Sequence, residues 1–506
     1  MKASTIRRAS VSAVLVYVWL AASGCSETDT SEAEARGQAG AVGPCAADEA
    51  FCSGYCVRVL EDRRNCGRCD LACSTGTECV NGQCVSSGGA GGQGTGGTSG
   101  ASGGFGGSSA SGGVSNRLTS VETPGADCTI PEMPTQLTDN PKFPDPFTMM
   151  DNTPVTTRDQ WVCRHREISA MIQQFETGTK PPKPAEVTGS FADGSLTVTV
   201  SDGAGKTGSF QVSIEYPSTG TAPYPALIGL TSMAVGSLDN NHLKQMGVAI
   251  ISYNHNNSIR FEGDRNSGLF TQFTGESSAG SLIAWAWGVS RLIDALQVTP
   301  DANINPERLA VTGCSRDGKG ALMIGAMDSR IALTIPQESG SGGVAAWRAS
   351  EYENRERMQG GEVQTLATTV GETHWFGTVL DTFSSQNNGS PNRLPVDHHE
   401  LIALAAPRAL LALGNIDRQW LGRYNGVQSL GAARMVYEAL GVRDHLGFVE
   451  SNHQDCSTDY GGREQQAIDA FVQRFLLDQD VSTDFYDDAM TLEEDRWIDW
   501  STPDLT

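Results

Sequence analysis

The sequence predicts an α/β protein, with a mostly parallel sheet flanked by helices on both faces and a small disulfide-rich module ahead of it. Three observations support this fold class. From about residue 127, short apolar runs alternate with segments of helical spacing. Eight cysteines crowd into residues 45–84, and a stretch of Gly, Ser, Ala and Thr separates them from the alternating region. Because sites in parallel sheets form at the carboxyl ends of strands, functional residues are expected where the apolar runs end.

The N-terminal residues 1–24 are typical of a signal peptide. A basic start precedes the apolar run 11–22, which is too short to span a bilayer. Cys25 follows Ala-Ser-Gly, which resembles a bacterial lipobox, although the leucine usual three residues before the cysteine is an alanine here. Acylation of Cys25 is expected, and cleavage near Gly24 without a lipid is the alternative. Either way we expect an exported protein, anchored at the cell surface or outer membrane, or secreted.

The chain has 13 cysteines, and because the protein is expected to be exported, most of them should form disulfides. Residues 45–84 predict a module with four disulfides, whose connectivity cannot be deduced from the sequence. A zinc site on Cys66-x-x-Cys69 is the weaker alternative, since the module holds no histidine. If Cys25 carries a lipid, four cysteines remain for two more bridges: Cys128, Cys163, Cys314 and Cys456.

The remaining segments predict the domain organisation. Residues 25–44 are small and polar and form a tether, and residues 85–116 form a Gly- and Ser-rich linker with a reach of about 30 Å. Residues 117–506 are expected to form one larger globular domain. A net charge of −23 argues against nucleic acid as a partner and against electrostatic binding to anionic membranes, so only an N-terminal lipid would bring the chain to a membrane.

The alternation within residues 117–506 predicts the strands and helices of this domain in order. The apolar runs that predict strands are 195–201, 209–216, 226–230, 248–253, 309–312, 331–335, 409–413 and 446–449. The main segments with helical spacing are 282–296, 319–327 and 465–477.

The stretch VTGCSRDGKGALM, residues 311–323, admits two interpretations. Gly313, Gly318 and Lys319 have the spacing of a phosphate-binding loop, but that loop needs Ser or Thr where this chain has Gly320. The alternative is a nucleophile elbow, in which a sharp turn between strand and helix exposes Ser315. This second interpretation specifies the α/β-hydrolase fold.

A serine nucleophile needs a histidine base and a carboxylate, which follow it in this fold in the order Ser, acid, His. His453 comes just after the apolar run 446–449 and has the expected position. Two carboxylates compete for the role of the acid. Glu338 follows the run that ends at residue 335, and Asp417 follows a later strand, where many hydrolases carry their acid.

The motif GCSRDGKG resembles the signature of the glucuronoyl esterases, carbohydrate esterase family fifteen. Further motifs resemble the family in the same order, and the resemblance covers residues 128–500. They are PDPF (144–147), CRHREI (163–168), PQESGSGG (336–343), HWF (374–376), LPVDHH (394–399), APR (406–408) and WLG (420–422). The family cleaves the ester between (4-O-methyl-)D-glucuronate of glucuronoxylan and an alcohol of lignin.

The resemblance implies roles for individual residues. Ser315 would be the nucleophile, His453 the base and Glu338 the acid, with Asp417 as the alternative acid. Arg316 would stabilise the oxyanion through its backbone N–H and its guanidinium.

The resemblance also implies a binding site for the uronate sugar. Lys319, Gln364 and Glu372 would bind its hydroxyl groups, and Trp420 would pack near the ring. The structural alternatives are a solvated helix charge for Lys319 and a core position for Trp420.

Two disulfides are implied as well, Cys314 with Cys456 and Cys128 with Cys163. In close relatives the cysteine directly follows the catalytic histidine, whereas here two residues intervene.

No metal or organic cofactor is implied, and a monomer is expected. Two alternative functions stay open. The first is an acetyl- or feruloyl-xylan esterase of the same fold, and the second is a surface carbohydrate-binding or adhesion protein without activity.

Overall fold

The computed structural model describes ten ranges of the chain: residues 50–52, 55–57, 77–80, 83–86, 121–125, 127–230, 238–358, 362–458, 461–487 and 490–505. The chain divides into two compact units, residues 1–111 and 112–506. The predicted signal peptide, Cys25 and the tether lie outside the described residues, as do most of the cysteine-rich module and of the linker.

The described part of the first unit consists of two short antiparallel hairpins. Strand β1 (Ala50–Cys52) pairs with β2 (Tyr55–Val57), and β3 (Thr77–Val80) pairs with β4 (Gln83–Ser86). Cys79 is disulfide-bonded. The other predicted bridges of this module involve side chains outside the described residues.

The second unit is built on a nine-stranded sheet. Its strands are β5 (Glu186–Ala192), β6 (Ser195–Ser201), β7 (Thr207–Glu215), β8 (Tyr224–Gly229), β9 (Ala249–Ser252), β10 (Ile304–Cys314), β11 (Ile331–Gln337), β12 (Ala409–Asn415) and β13 (Leu446–Ser451). They are arranged in the order β13-β12-β11-β10-β8-β9-β7-β6-β5. The pairs from β13 through β9 are parallel, and β5, β6 and β7 form an antiparallel edge.

Helices cover both faces of this sheet. They are α1 (Arg158–Ile172), α2 (Asn240–Gln245), α3 (His255–Ser258), α4 (Gly268–Thr274), α5 (Ser281–Val298), α6 (Arg316–Met327), α7 (Trp347–Tyr352), α8 (Leu366–Glu372), α9 (His398–Ala403), α10 (Arg423–Ala439), α11 (Arg463–Phe475) and α12 (Glu494–Trp497). No helix within the described ranges has the length and apolarity needed to cross a bilayer.

Successive residues of the central strands enter two different cores, because side chains alternate across a strand. Ile251 of β9 packs into the core that contains α5 and α6, whereas Ile250 packs into the core that contains α11. The predicted α/β architecture with helices on both faces is therefore confirmed. Strand β5 was not predicted, because its residues are mostly exposed and carry no apolar run.

Candidate active site

Ser315 occupies a sharp turn between β10 and α6. Its backbone has φ 58° and ψ −121°, a conformation that is costly for a residue with a Cβ, and the residue is exposed. The two neighbouring glycines make this turn possible. A Cβ at Gly313 would lie 2.5 Å from the carbonyl oxygen of Asp317, and one at Gly318 would lie 2.3 Å from that of Gln337. The glycine spacing that resembled a phosphate loop thus serves close packing around the serine.

Glu338 follows β11 and is buried beside the segment between β13 and α11 that carries His453, here called the histidine loop. Its carboxylate accepts the backbone N–H of Cys456 at 2.7 Å and the side-chain amide of Asn415 at 3.3 Å, and it lies 3.7 Å from Nδ1 of His453. Burial raises the pKa of Glu338, while the Cys456 N–H and the charge of His453 act in the opposite direction. The carboxylate therefore has three partners that hold it in place.

His453 follows β13, and both of its ring nitrogens face oxygen acceptors. Nδ1 lies 2.9 Å from the carbonyl oxygen of Gln454, and Nε2 lies 3.3 Å from Oε1 of Glu464 in the first turn of α11. Burial disfavours the imidazolium, but the Gln454 carbonyl and the carboxylates of Glu464 and Glu338 outweigh burial and raise the pKa of His453. These surroundings suit a protonated ring.

The structure brings His453 to Glu338 but does not join it to Ser315 by a hydrogen bond. Asp417 is exposed, and its backbone N–H bonds to the side chain of Asn415 at 3.1 Å. Among the hydrogen bonds and ion pairs of the described residues, none joins Asp417 to His453.

Two disulfides hold the second unit together, and both join the cysteines that the resemblance pairs. Cys128 is bonded to Cys163, and Cys314 is bonded to Cys456. The second bridge ties the residue before Ser315 to the histidine loop, although two residues separate His453 from Cys456.

Arg316 begins α6 with its guanidinium half-exposed and held by a buried carboxylate. It donates to Oε1 of Glu262, and Oε2 of the same residue accepts the indole N–H of Trp375, each at 2.5 Å. Glu262 was not predicted as a site residue because it lies in the loop between α3 and α4, where no motif marks it. Trp375 belongs to the HWF motif, which could have indicated it.

Lys319 is 3% exposed and is therefore not a solvated helix charge. Its ammonium donates to the carbonyl oxygens of Ser339 and Ser341, at 2.5 and 2.7 Å, and to Oε1 of Gln364 at 3.0 Å. Gln364 in turn donates to Glu372 at 2.9 Å. Burial lowers the pKa of Lys319 to about 7, against the attraction of Glu372. The three residues form one hydrogen-bonded chain.

A cavity of about 480 Å³ opens at the serine. Its lining consists of Phe261, Glu262, Gly263, Ser315, Arg316, Glu372, Thr373 and Trp375. Of the predicted sugar-binding residues, Glu372 lines this cavity, and Lys319 and Gln364 lie behind it. Trp420 is 42% exposed, so it is not a core residue, and its carbonyl oxygen accepts the backbone N–H of Gln364 at 3.0 Å.

Comparisons with known proteins identify relatives of this chain. The profile of a family described as "Glucuronyl esterase, fungi" matches residues 198–441, and that of the "Stigma-specific STIG1-like protein family" matches residues 22–87. The chain is 44% identical over 387 residues to a 4-O-methyl-glucuronoyl methylesterase of Hypocrea jecorina, covering 76% of this chain and 80% of that protein.

Two solved structures share the fold of the second unit. The glucuronoyl esterase catalytic domain of Hypocrea jecorina superposes with a TM-score of 0.68 at 43% identity, covering 74% of this chain and 100% of that one. A mutant glucuronoyl esterase of Sporotrichum thermophile, in complex with methyl 4-O-methyl-beta-D-glucopyranuronate, gives 0.65 at 37% identity, covering 73% and 96%. The predicted α/β-hydrolase fold is confirmed.

Proposed function

This chain belongs to the glucuronoyl esterase family, and we propose that it hydrolyses esters between (4-O-methyl-)D-glucuronate of glucuronoxylan and lignin alcohols. The main support for this proposal is the position of Ser315. The residue is exposed on a strained elbow, and it lines a cavity together with Arg316 and Glu372. Two relatives that are 44% identical to this chain are named 4-O-methyl-glucuronoyl methylesterase, which supports this proposal.

Ser315 would attack the ester carbonyl while its proton passes to Nε2 of His453. The resulting oxyanion would be stabilised by the backbone N–H and the guanidinium of Arg316, which Glu262 holds beside the serine. The alcohol then leaves with the proton from His453, and water releases the glucuronate from the acyl-enzyme. For this cycle to run, Nε2 of His453 must leave the carboxylate of Glu464 and form a hydrogen bond to the hydroxyl of Ser315.

We assign Glu338 as the acid of the triad rather than Asp417. Glu338 lies 3.7 Å from Nδ1 of His453 and is held by Cys456 and Asn415, so it can orient the ring and stabilise the imidazolium. Asp417 is exposed to solvent, where its charge would be screened.

The sugar would bind through the hydrogen-bonded chain behind the cavity. Glu372 reaches the cavity, its carboxylate accepts the side-chain amide of Gln364, and Lys319 in turn donates to Gln364. Half-exposed Trp420 would pack against the sugar ring, as an aromatic face suits the apolar face of a pyranose.

We further propose that the chain is exported and acts as a monomer. The disulfides of the second unit support export, since such bonds persist in oxidising compartments. In this proposal Cys25 is acylated, residues 45–84 form a separate module, and residues 85–116 link it to the catalytic domain 117–506.

The test is hydrolysis of benzyl glucuronate compared with release of acetate from acetylated xylan. The proposal expects turnover of the glucuronate ester by the wild-type protein and none by a folded Ser315→Ala variant. A preference for acetylated xylan would identify an acetyl esterase instead, and normal turnover by Ser315→Ala would overturn the mechanism.

A further inference from the structure

Phe261 is an apolar side chain that the protein leaves half-exposed inside the cavity of the serine. Its exposed fraction is 50%, and it lines the cavity together with Ser315 and Arg316. Single exposed apolar residues are ordinary on protein surfaces. An exposed ring beside the candidate nucleophile calls for a functional explanation when the surrounding backbone holds the ring in that position.

The residues on either side of Phe261 are anchored in the interior. Arg260 is fully buried, and its guanidinium donates to three backbone carbonyl oxygens, those of Ala279, Arg265 and Glu276. Glu262 is also buried, where its carboxylate binds Arg316 and Trp375. With both neighbours turned inward and fixed, Phe261 is directed outward into the cavity.

The loop itself is also fixed around the ring. The backbone N–H of Phe261 donates to Oγ of Ser267 at 2.9 Å, and its carbonyl oxygen accepts the N–H of Asp264 at 3.1 Å. A Cβ at Gly263 would lie 2.6 Å from Cε1 of the Phe261 ring, so the ring rests on bare backbone. One side of the ring is thereby supported and the rest stays accessible.

The other lining residues suit a different part of the ester. Glu262, Arg316, Glu372 and Thr373 are polar, as hydroxyl and carboxyl groups of a uronate require. Trp375 is 6% exposed and its N–H is committed to Glu262, which leaves Phe261 as the accessible ring among the residues that line the cavity.

We propose that Phe261 is a specificity-determining residue that contacts the aromatic ring of the alcohol half of the ester. The inference rests on the proposed function, since it assigns one half of that substrate to one side chain. Aromatic pairs prefer offset or edge-to-face arrangements, which a ring supported on one side and open on the other can offer. Methyl esters, whose alcohol has no ring, would gain nothing from this contact.

The experiment measures kcat/KM of the full chain for benzyl glucuronate and methyl glucuronate. Phe261→Ala is expected to lower the value for the benzyl ester about tenfold and to leave the value for the methyl ester almost unchanged. Phe261→Tyr, which keeps the ring, should restore the preference for the benzyl ester. Val298→Ala is the matched control, because Val298 is 58% exposed at the end of α5 and does not line the cavity.

The two esters separate the possible outcomes. Equal losses on both esters would show that the ring only supports the loop, and no loss on either would show that it contacts nothing; each result overturns the inference and leaves the proposed function standing. A wild-type protein that cleaves neither ester would overturn the proposed function itself.

Discussion

The carboxylate of Glu338 accepts the backbone N–H of Cys456 at 2.7 Å, and through this bond the candidate acid is attached to the disulfide of the elbow. The bridge from Cys456 to Cys314 reaches the residue before Ser315. The disulfide therefore joins Ser315 covalently to the loop of His453, and the hydrogen bond adds Glu338 to the same assembly.

The competition between the two carboxylates yields the first prediction. Glu338→Gln should lower kcat by about 10⁴-fold, because it removes the charge that stabilises the imidazolium. Asp417→Asn should have a small effect, since Asp417 is exposed and bonds through its backbone to Asn415. Steady-state kinetics on benzyl glucuronate measure both. A reversed order of the two losses would transfer the role of the acid to Asp417.

Removal of the bridge at the elbow should cost activity as well as stability. A Cys314→Ser/Cys456→Ser double variant should lose most of its turnover, whereas Cys128→Ser/Cys163→Ser should keep it. Each should lower the free energy of unfolding by about 2–4 kcal/mol. Thermal unfolding and kcat are measured together, and peptide mapping without reduction checks both bridges. Full activity of the first variant would show that Glu338 and His453 keep their places unaided.

Glu464 should influence the pH below which activity is lost, through its effect on the pKa of His453. Only the neutral ring of His453 can accept the serine proton, and the nearby carboxylates raise its pKa above 6.5, so activity is lost as the pH falls through that raised value. Glu464→Gln removes one negative charge from Nε2, which lowers this pKa and should move the acidic limb of kcat/KM to lower pH. Glu438→Gln on α10 is the control. If the acidic limb of the kcat/KM profile stays at the same pH, then the imidazole of His453 has already separated from Glu464 at the pH where it titrates.

Substitution of Lys319 should affect substrates that carry a sugar more than substrates that do not. Lys319→Ala should lower kcat/KM for methyl glucuronate on the order of 10- to 100-fold, because Gln364, which donates to Glu372, loses the ammonium group that fixes it. Hydrolysis of phenyl acetate, which has no sugar hydroxyls, should fall far less. Equal losses on the two substrates would make Lys319 a structural residue.

The same lysine should affect stability in a defined pH window. Its pKa is about 7 in the folded protein against 10.5 ordinarily, so between these values the unfolded chain binds a proton that the folded chain does not. The contribution of Lys319 to the free energy of unfolding therefore rises with pH from about 7 to 10.5. Lys319→Met should flatten this rise in urea unfolding measured at several pH values. An identical slope in both proteins would contradict the lowered pKa.

Apolar periodicity predicted the buried elements well, because strands such as β11 and β12 are apolar nearly throughout. Apolar periodicity did not predict elements that are mostly exposed, such as β5, or helix ends that are set by a backbone turn. Helix α6 begins at Arg316, three residues before the predicted start, because the elbow and not the apolar pattern sets its first turn.

Within the candidate site, the motifs indicated the residues that we propose to react with or bind the substrate, but they did not indicate Glu262 and Glu464, which contact two of them. Glu262 lies in a loop and Glu464 in the first turn of a helix, where an acidic residue is ordinary. The contact between Glu464 and His453 depends on the path of the loop through Gln454, which no short motif specifies.

The two disulfides of the second unit differ in how far along the chain their partners lie, by 35 residues for Cys128 and Cys163 and by 142 for Cys314 and Cys456. A chain that emerges N-terminus first completes the shorter loop while the histidine loop is still unmade. Closing the longer loop also costs more chain entropy. Ser315 and Cys456 are therefore separated by more than a quarter of the polypeptide, and the bridge that fixes the loop of His453 to the elbow can form only after that whole stretch has been made.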